Sequence, residues 1–165
     1  MKPIYIDLHI HTSENPNEPN SNYDIDTLLL KVKNFSQNAT FMLSLTDHNM
    51  INKNAYLDLI SKTDHVLLGA ELHIRNYPNV PPYHCHIFFN VSSIDEKVIS
   101  DINKILDLLY PEKIITDDTK NIPSIEDIVK SFDLFDFILL PHGGQSHRTF
   151  DKSIPRNGEV KFDTT

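Results

Sequence analysis

The stretch YIDLHIHTS, from Tyr5 to Ser13, places an aspartate and two histidines at alternate positions. Side chains alternate between the two faces of a strand, so Asp7, His9 and His11 are predicted to share one face. Two imidazoles at this spacing can converge on one metal ion, and imidazole suits zinc, iron and manganese. The pattern is also compatible with a solvated face, or with core histidines satisfied by hydrogen bonds.

The rest of the chain predicts strands alternating with helices. Predicted strands cover PIYIDLHIHT, TFMLSLTDHN, HVLLGAELHI, YHCHIFFNV and DFILLPHGG, and apolar residues at helical spacing predict four helices. This alternation favours an α/β fold with a mostly parallel sheet, in which functional residues gather at the carboxyl ends of the strands. Each predicted strand carries a residue that could bind metal at or near that end, which favours a metal site: His11, His48, Glu71, His86 and His142.

Composition excludes several classes of protein. The 165 residues fit one domain, 1–165, and the formal net charge of −8 excludes a broad basic surface that coats nucleic acid. A phosphorylated substrate stays compatible with this charge if bound metal supplies positive charge locally. The single cysteine, Cys85, excludes a disulfide within the chain. Neither a signal peptide nor a membrane span is predicted, so we expect a cytoplasmic protein without a membrane partner.

Five short motifs, in order, carry a family resemblance. DLHIHTS, LTDHN, GAE, HIFF and LLPHGG, between Asp7 and Gly144, resemble motifs of the PHP (polymerase and histidinol phosphatase) family of metal-dependent phosphoesterases. The resemblance implies a distorted (β/α)7 barrel of parallel strands, of which this chain would form the N-terminal portion with about five β/α units. It also implies two or three divalent ions (Zn, Mn or Fe) and hydrolysis of a phosphoester by a metal-bound hydroxide. The substrate would be a phosphorylated small molecule, a nucleotide or a nucleic-acid end.

The resemblance also assigns roles to residues. Glu71 would bridge two metals, and His48 would bind metal or act directly on the phosphate as a catalytic residue. Asp47 is a second catalytic candidate, which would either orient a ligand or hold the turn after the second strand. His73 and His84 share strand faces with metal ligands and are predicted to support them or to pack. The implied metal ligands are His9, His11, His48, Glu71, His86 and His142.

The chain departs from the family pattern at three points. Pro16 and Asn17 stand where many members have a ligand, and no Asp-x-His motif follows His142. The chain is also short for a full barrel. We therefore expect the N-terminal part of a longer protein, which a missing C-terminal domain or a partner chain would complete. Residues 145–165 show no clear period and are predicted to form an irregular tail.

Two other functions are compatible with the same residues. Amidohydrolases also begin with His-x-His on the first strand of a β/α barrel, although TDHN and PHGG favour the phosphoesterase. A non-catalytic PHP-like module of a larger protein would explain the absent late ligands. Hydrolysis of a phosphoester rather than an amide or lactone would separate the first two functions, and metal binding without turnover would indicate the third.

Overall fold

Five strands and four α-helices form the described part of the chain, which is residues 3–13, 15–19, 23–143 and 148–154 of a computed structural model. A short 3-10 helix, Phe150–Ser153, follows them. The strands are β1 (Ile4–Ile10), β2 (Thr40–Leu45), β3 (Leu68–Ile74), β4 (Tyr83–Asn90) and β5 (Asp136–Pro141). The helices are α1 (Ile25–Phe35), α2 (Lys53–Lys62), α3 (Glu96–Leu109) and α4 (Ile125–Ser131).

The strands form two sheets of different character. β1 and β2 pair in parallel, whereas β3, β4 and β5 form an antiparallel sheet in that order. The predicted N-terminal portion of a parallel (β/α)7 barrel, with about five β/α units, is therefore wrong. The connection between β3 and β4, residues 75–82, contains no helix. Parallel strands need a crossover of about a dozen residues or more, so this connection permits only an antiparallel hairpin.

A tyrosine holds the two sheets together. β2 approaches β3 through isolated parallel bridges, one of which joins His48 to Glu71. Beside this bridge, the Tyr56 hydroxyl from α2 donates a hydrogen bond to the Leu45 carbonyl at 2.7 Å and accepts one from the Gly69 N–H at 2.9 Å. The side chain thus replaces ladder hydrogen bonds where the strands separate, and it fixes the end of β2 against the start of β3.

We expect Tyr56→Phe to lower the free energy of unfolding by about 2 kcal/mol, because buried peptide groups of Leu45 and Gly69 would lose a partner. Tyr56 is fully buried, so water cannot replace its hydroxyl without a rearrangement. Urea unfolding measures this difference. The matched control is Tyr77→Phe in the β3–β4 connection, where we expect a change within about 0.5 kcal/mol. Equal losses of stability in the two variants would contradict this role for Tyr56.

Alternate residues along β3 and β4 separate the core from the metal-capable side chains. One set of alternate residues packs in the hydrophobic core that the helices cover. Cys85 belongs to this set and is fully buried. The other alternation carries Glu71, His73, His84 and His86. Core residues contributed by β3 and β4 are Leu68, Ala70, Leu72, Ile74, Tyr83, Cys85, Ile87 and Phe89.

The predicted tail is described only in part. Residues 148–154 contain the 3-10 helix, while residues 144–147 and 155–165 lie outside the described residues. The single domain predicted for residues 1–165 stays a prediction. Among the helices of the described ranges, none combines the length and the apolar character that crossing a bilayer requires.

Candidate metal centre

The antiparallel sheet still brings the predicted ligands to one edge. β3 and β5 run in the same direction because both are antiparallel to β4. Glu71 at the middle of β3 pairs with His86 at the middle of β4, and His142, directly after β5, donates its backbone N–H to the carbonyl of His84 in β4. The bridge between His48 and Glu71 brings the end of β2 to the same edge. Parallel strands were thus not required to assemble this centre.

A β-bulge turns the first two histidines toward the centre. Between Asp7 and Ile10, β1 advances by three residues while its partner β2 advances by two. Paired residues of parallel strands point to the same face of the sheet. Asp7 and Ile10 therefore point to the face of Leu43 and Leu45, their buried partners in β2. His9 and His11 consequently point to the opposite face, as bulges near functional sites often arrange. The prediction that Asp7 shares a face with His9 and His11 is wrong, although Asp7 Oδ1 accepts a hydrogen bond from the His9 backbone N–H at 3.3 Å.

Glu71 lies at the middle of the centre. Its side chain is only 1% exposed, and six imidazoles surround its carboxylate. Nitrogens near Oε1 belong to His9 (3.6 Å), His84 (3.0 Å), His86 (3.9 Å) and His142 (2.9 Å), and nitrogens near Oε2 belong to His11 (3.3 Å) and His48 (3.0 Å).

Glu71 and five of these histidines form two groups that could each hold an ion. Within each group, the potential ligand atoms lie within 4.8 Å of one another. Glu71 belongs to both groups, which is the arrangement of a carboxylate that bridges two cations. Every residue predicted as a metal ligand falls in one of them: His9, Glu71, His86 and His142 in the first, and His11, His48 and Glu71 in the second.

The Glu71 carboxylate lacks the partners that a buried carboxylate normally has. Neither oxygen accepts a hydrogen bond of ordinary geometry from a described residue, despite the short distances to imidazole nitrogens. Burial alone would raise the pKa of Glu71, but the neighbouring His48 and His84 imidazoles outweigh it and hold the pKa well below its usual range. An ionised buried carboxylate without hydrogen bonds is costly unless a cation compensates it. The residues present therefore fit a bound metal.

Two further histidines belong to this region and were not predicted as ligands. In the β3–β4 register, Glu71 lies opposite His86 and His73 lies opposite His84. His84 Nε2 is 3.0 Å from His73 Nε2, and both side chains are buried. With His48 they form a third group that could hold an ion. The sequence does contain a signal for this arrangement, the patterns E-x-H at 71–73 and H-x-H at 84–86. The two patterns lie opposite each other only in an antiparallel hairpin.

Asp47 lies beside the centre and holds its loops. Its buried carboxylate accepts hydrogen bonds from the Thr12 N–H at 2.6 Å, from the Thr12 hydroxyl and from the Ser13 N–H at 3.1 Å. His11 directly precedes Thr12, and His48 directly follows Asp47. These contacts hold the loop that follows β1 rather than the turn after β2, and a catalytic role for Asp47 stays a prediction. The carboxylate thereby fixes the two histidines relative to each other.

The metal-free centre should make stability depend on pH. Burial lowers the pKa of His86 from the ordinary 6.5 to about 4, and burial also lowers the pKa of His11, His73 and His84. The unfolded chain therefore binds protons that the folded chain excludes, so stability present above about pH 6.5 is lost as the pH falls towards 4. Urea unfolding between pH 7 and pH 4 tests this, and His86→Gln should show a shallower decline. An unchanged slope in that variant would contradict the prediction.

Comparisons with known proteins identify no family. A scan against protein-family models, a search of curated proteins and a search of solved structures each found no match. These comparisons give no support to an assignment as a hydrolase or as a PHP domain. The resemblance therefore depends on the short motifs alone, and function has to be argued from the geometry of the centre.

Proposed function

We propose that this protein is a metal-dependent phosphoesterase with two divalent ions held on either side of Glu71. One observation carries the proposal: the two oxygens of a single buried carboxylate each face a separate set of imidazole nitrogens. Imidazole and carboxylate ligands suit zinc, manganese and iron, and none of these ions is favoured over the others by this set. Two such ions, when bound, would lower the pKa of an attacking water and neutralise phosphoryl oxygens.

The exposure of the imidazoles indicates where a substrate would enter. His9, His11 and His48 have side chains that are 44%, 30% and 26% exposed, whereas His86 and His142 are only 12% and 10% exposed. The open side of the centre therefore lies toward the ends of β1 and β2. His48 stands at this opening, where it could contact a phosphate oxygen as well as hold a metal. The less exposed histidines hold the closed side of the centre.

The net charge of the chain restricts the substrate only to a broad class. With a formal net charge of −8, the protein would depend on bound metal to attract a phosphorylated small molecule, a nucleotide or a nucleic-acid end. A further domain or a partner chain could set the choice among these substrates, because fold alone does not determine function. A cytoplasmic location, expected from the sequence, stays a prediction.

A hydrolysis assay tests the proposal. The purified chain is stripped with a chelator, reloaded with zinc, manganese or iron, and assayed on p-nitrophenyl phosphate and bis-p-nitrophenyl phosphate. We expect reloading to raise the rate by about a hundredfold or more, because bound metal contributes several kcal/mol of transition-state stabilisation. The matched control is His65→Ala, which removes an exposed histidine outside the three groups and should keep full activity.

Each other outcome points to a different function. Metal binding without turnover of either ester would contradict the proposal and favour a non-catalytic module. Hydrolysis of an amide or a lactone, with no phosphoester turnover, would favour the amidohydrolase instead. Loss of activity in His65→Ala would show that the measured rate does not come from the Glu71 centre.

A further inference from the structure

A basic cavity adjoins the metal centre. Its volume is about 280 Å³, and His48 and His84 line it while also contacting Glu71 through their Nδ1 atoms at 3.0 Å. The cavity and the Glu71 centre therefore share these two imidazoles. The remaining polar side chains of its described lining are Asn15, His73, Lys113 and Arg148.

The lining carries positive charge but no carboxylate among its described residues. Lys113 and Arg148 each have an aspartate partner outside this lining: Asp107 at 2.6 Å from Lys113 Nζ, and Asp117 at 3.3 Å from Arg148 Nη2. Both aspartate side chains are about two-thirds exposed, at 66% and 69%, so water screens their charge. In a protein of net charge −8, such a lining is unusual.

Arg148 has one unpaired donor nitrogen among the described residues, in addition to its contact with Asp117. Its Nη1 is buried and donates no hydrogen bond to any described residue. A buried guanidinium nitrogen without an acceptor is costly, which makes an added acceptor favourable. The backbone of Arg148 has a positive φ of 54° and accepts a hydrogen bond from the His84 N–H at 2.8 Å. The chain thus keeps this arginine beside His84 in a conformation that non-glycine residues seldom adopt.

A third metal ion is the competing occupant, because His48, His73 and His84 could hold one. This group contains no carboxylate of its own, and Glu71, which contacts His48 and His84, already belongs to the other two groups. Lys113 and Arg148 line the same cavity and would repel that cation. The same two side chains would attract an anion and donate hydrogen bonds to it.

We propose that this cavity binds an anionic group, a phosphate or a carboxylate, that the substrate carries in addition to its scissile phosphoester. Arg148 supplies the planar set of N–H donors that such a group prefers, and Lys113 adds charge. The identification of this group as part of a substrate rests on the proposed function. The capacity to bind an anion does not, because it depends on the cavity alone.

Isothermal titration calorimetry of the metal-free full chain with inorganic phosphate tests the anion site. We expect saturable binding that Arg148→Gln weakens roughly tenfold, equivalent to about 1.4 kcal/mol, and that Arg148→Lys weakens less. The control Lys31→Gln makes the same charge change on exposed α1 and should bind as the parent does. The double variant His9→Ala/His11→Ala should also bind phosphate normally, because neither residue lines the cavity.

No saturable binding to the parent, or equal affinity in the parent and a folded Arg148→Gln variant, would overturn the proposal. Normal phosphate affinity in the His9→Ala/His11→Ala variant would distinguish this site from the metal centre. Loss of phosphate binding in that variant would also overturn the proposal. In the metal-loaded protein, Arg148→Gln should raise KM for a substrate with two anionic groups and leave kcat nearly unchanged. Absence of all turnover would contradict the proposed function but not the phosphate titration.

Discussion

Glu71→Gln is expected to remove both metal ions and to lower phosphoester hydrolysis by more than about a hundredfold. Residues that only support metal ligands typically contribute 10- to 100-fold to affinity or activity, so a shared ligand should exceed this range. The substitution keeps the size of the side chain but removes the charge that both histidine groups share. Metal affinity, measured by titration with a chelating indicator, should fall for both ions together.

Glu96→Gln provides the matched control for this variant. Glu96 lies at the exposed start of α3, pairs with Lys53 at 2.9 Å and belongs to neither group. The Glu96→Gln variant should bind two ions with the affinity of the parent. Retention of both ions in Glu71→Gln would contradict the bridging role, and loss of only one would show that the two groups do not share this carboxylate.

Asp47→Ala is expected to have the second largest effect, because it acts on both stability and metal affinity. The Thr12 N–H, the Thr12 hydroxyl and the Ser13 N–H would lose a charged acceptor in a buried position, which should cost roughly 3 kcal/mol or more. The loop after His11 would then lose its attachment to the segment before His48. We expect a 10- to 100-fold loss of metal affinity, as for other residues that position ligands.

Two measurements separate these effects. Urea unfolding of the metal-free chain gives the loss of stability, and metal titration well below the unfolding temperature gives the loss of affinity. Asp95→Ala is the control, since it removes the N-cap of α3 but lies away from the centre and should leave metal affinity unchanged. If Asp47→Ala is less stable yet binds metal as the parent does, Asp47 supports the fold only.

The sequence was sufficient to predict the elements and the side chains that meet around Glu71, but not the topology. Helical spacing identified four helices, and the strands were located because apolar runs end at turns or polar residues. The directions of β3 and β4 differ because no helix lies between them, so the general preference of α/β chains for parallel sheets does not apply there. The short β3–β4 connection is by itself sufficient to predict the hairpin.

The remaining features that the sequence did not predict depend on contacts between residues that are distant in sequence. The bulge in β1 reverses the face on which His9 and His11 lie. No residue of that strand predicts the bulge, because it depends on the pairing with β2. His73 and His84 become neighbours only through the antiparallel register. The contacts of Asp47 with Thr12 join loops that are distant in sequence, which local patterns cannot reveal.

The metal content of the purified chain tests the central claim most directly. Elemental mass spectrometry would compare the parent with His9→Ala/His11→Ala, which removes one histidine from each group, and with His65→Ala as the control. We predict two or more equivalents of zinc, manganese or iron in the parent and in the control, and the loss of most of this metal in the double variant. Little metal in the parent after reloading, or equal content in all three proteins, would contradict the assignment of a metal centre around Glu71.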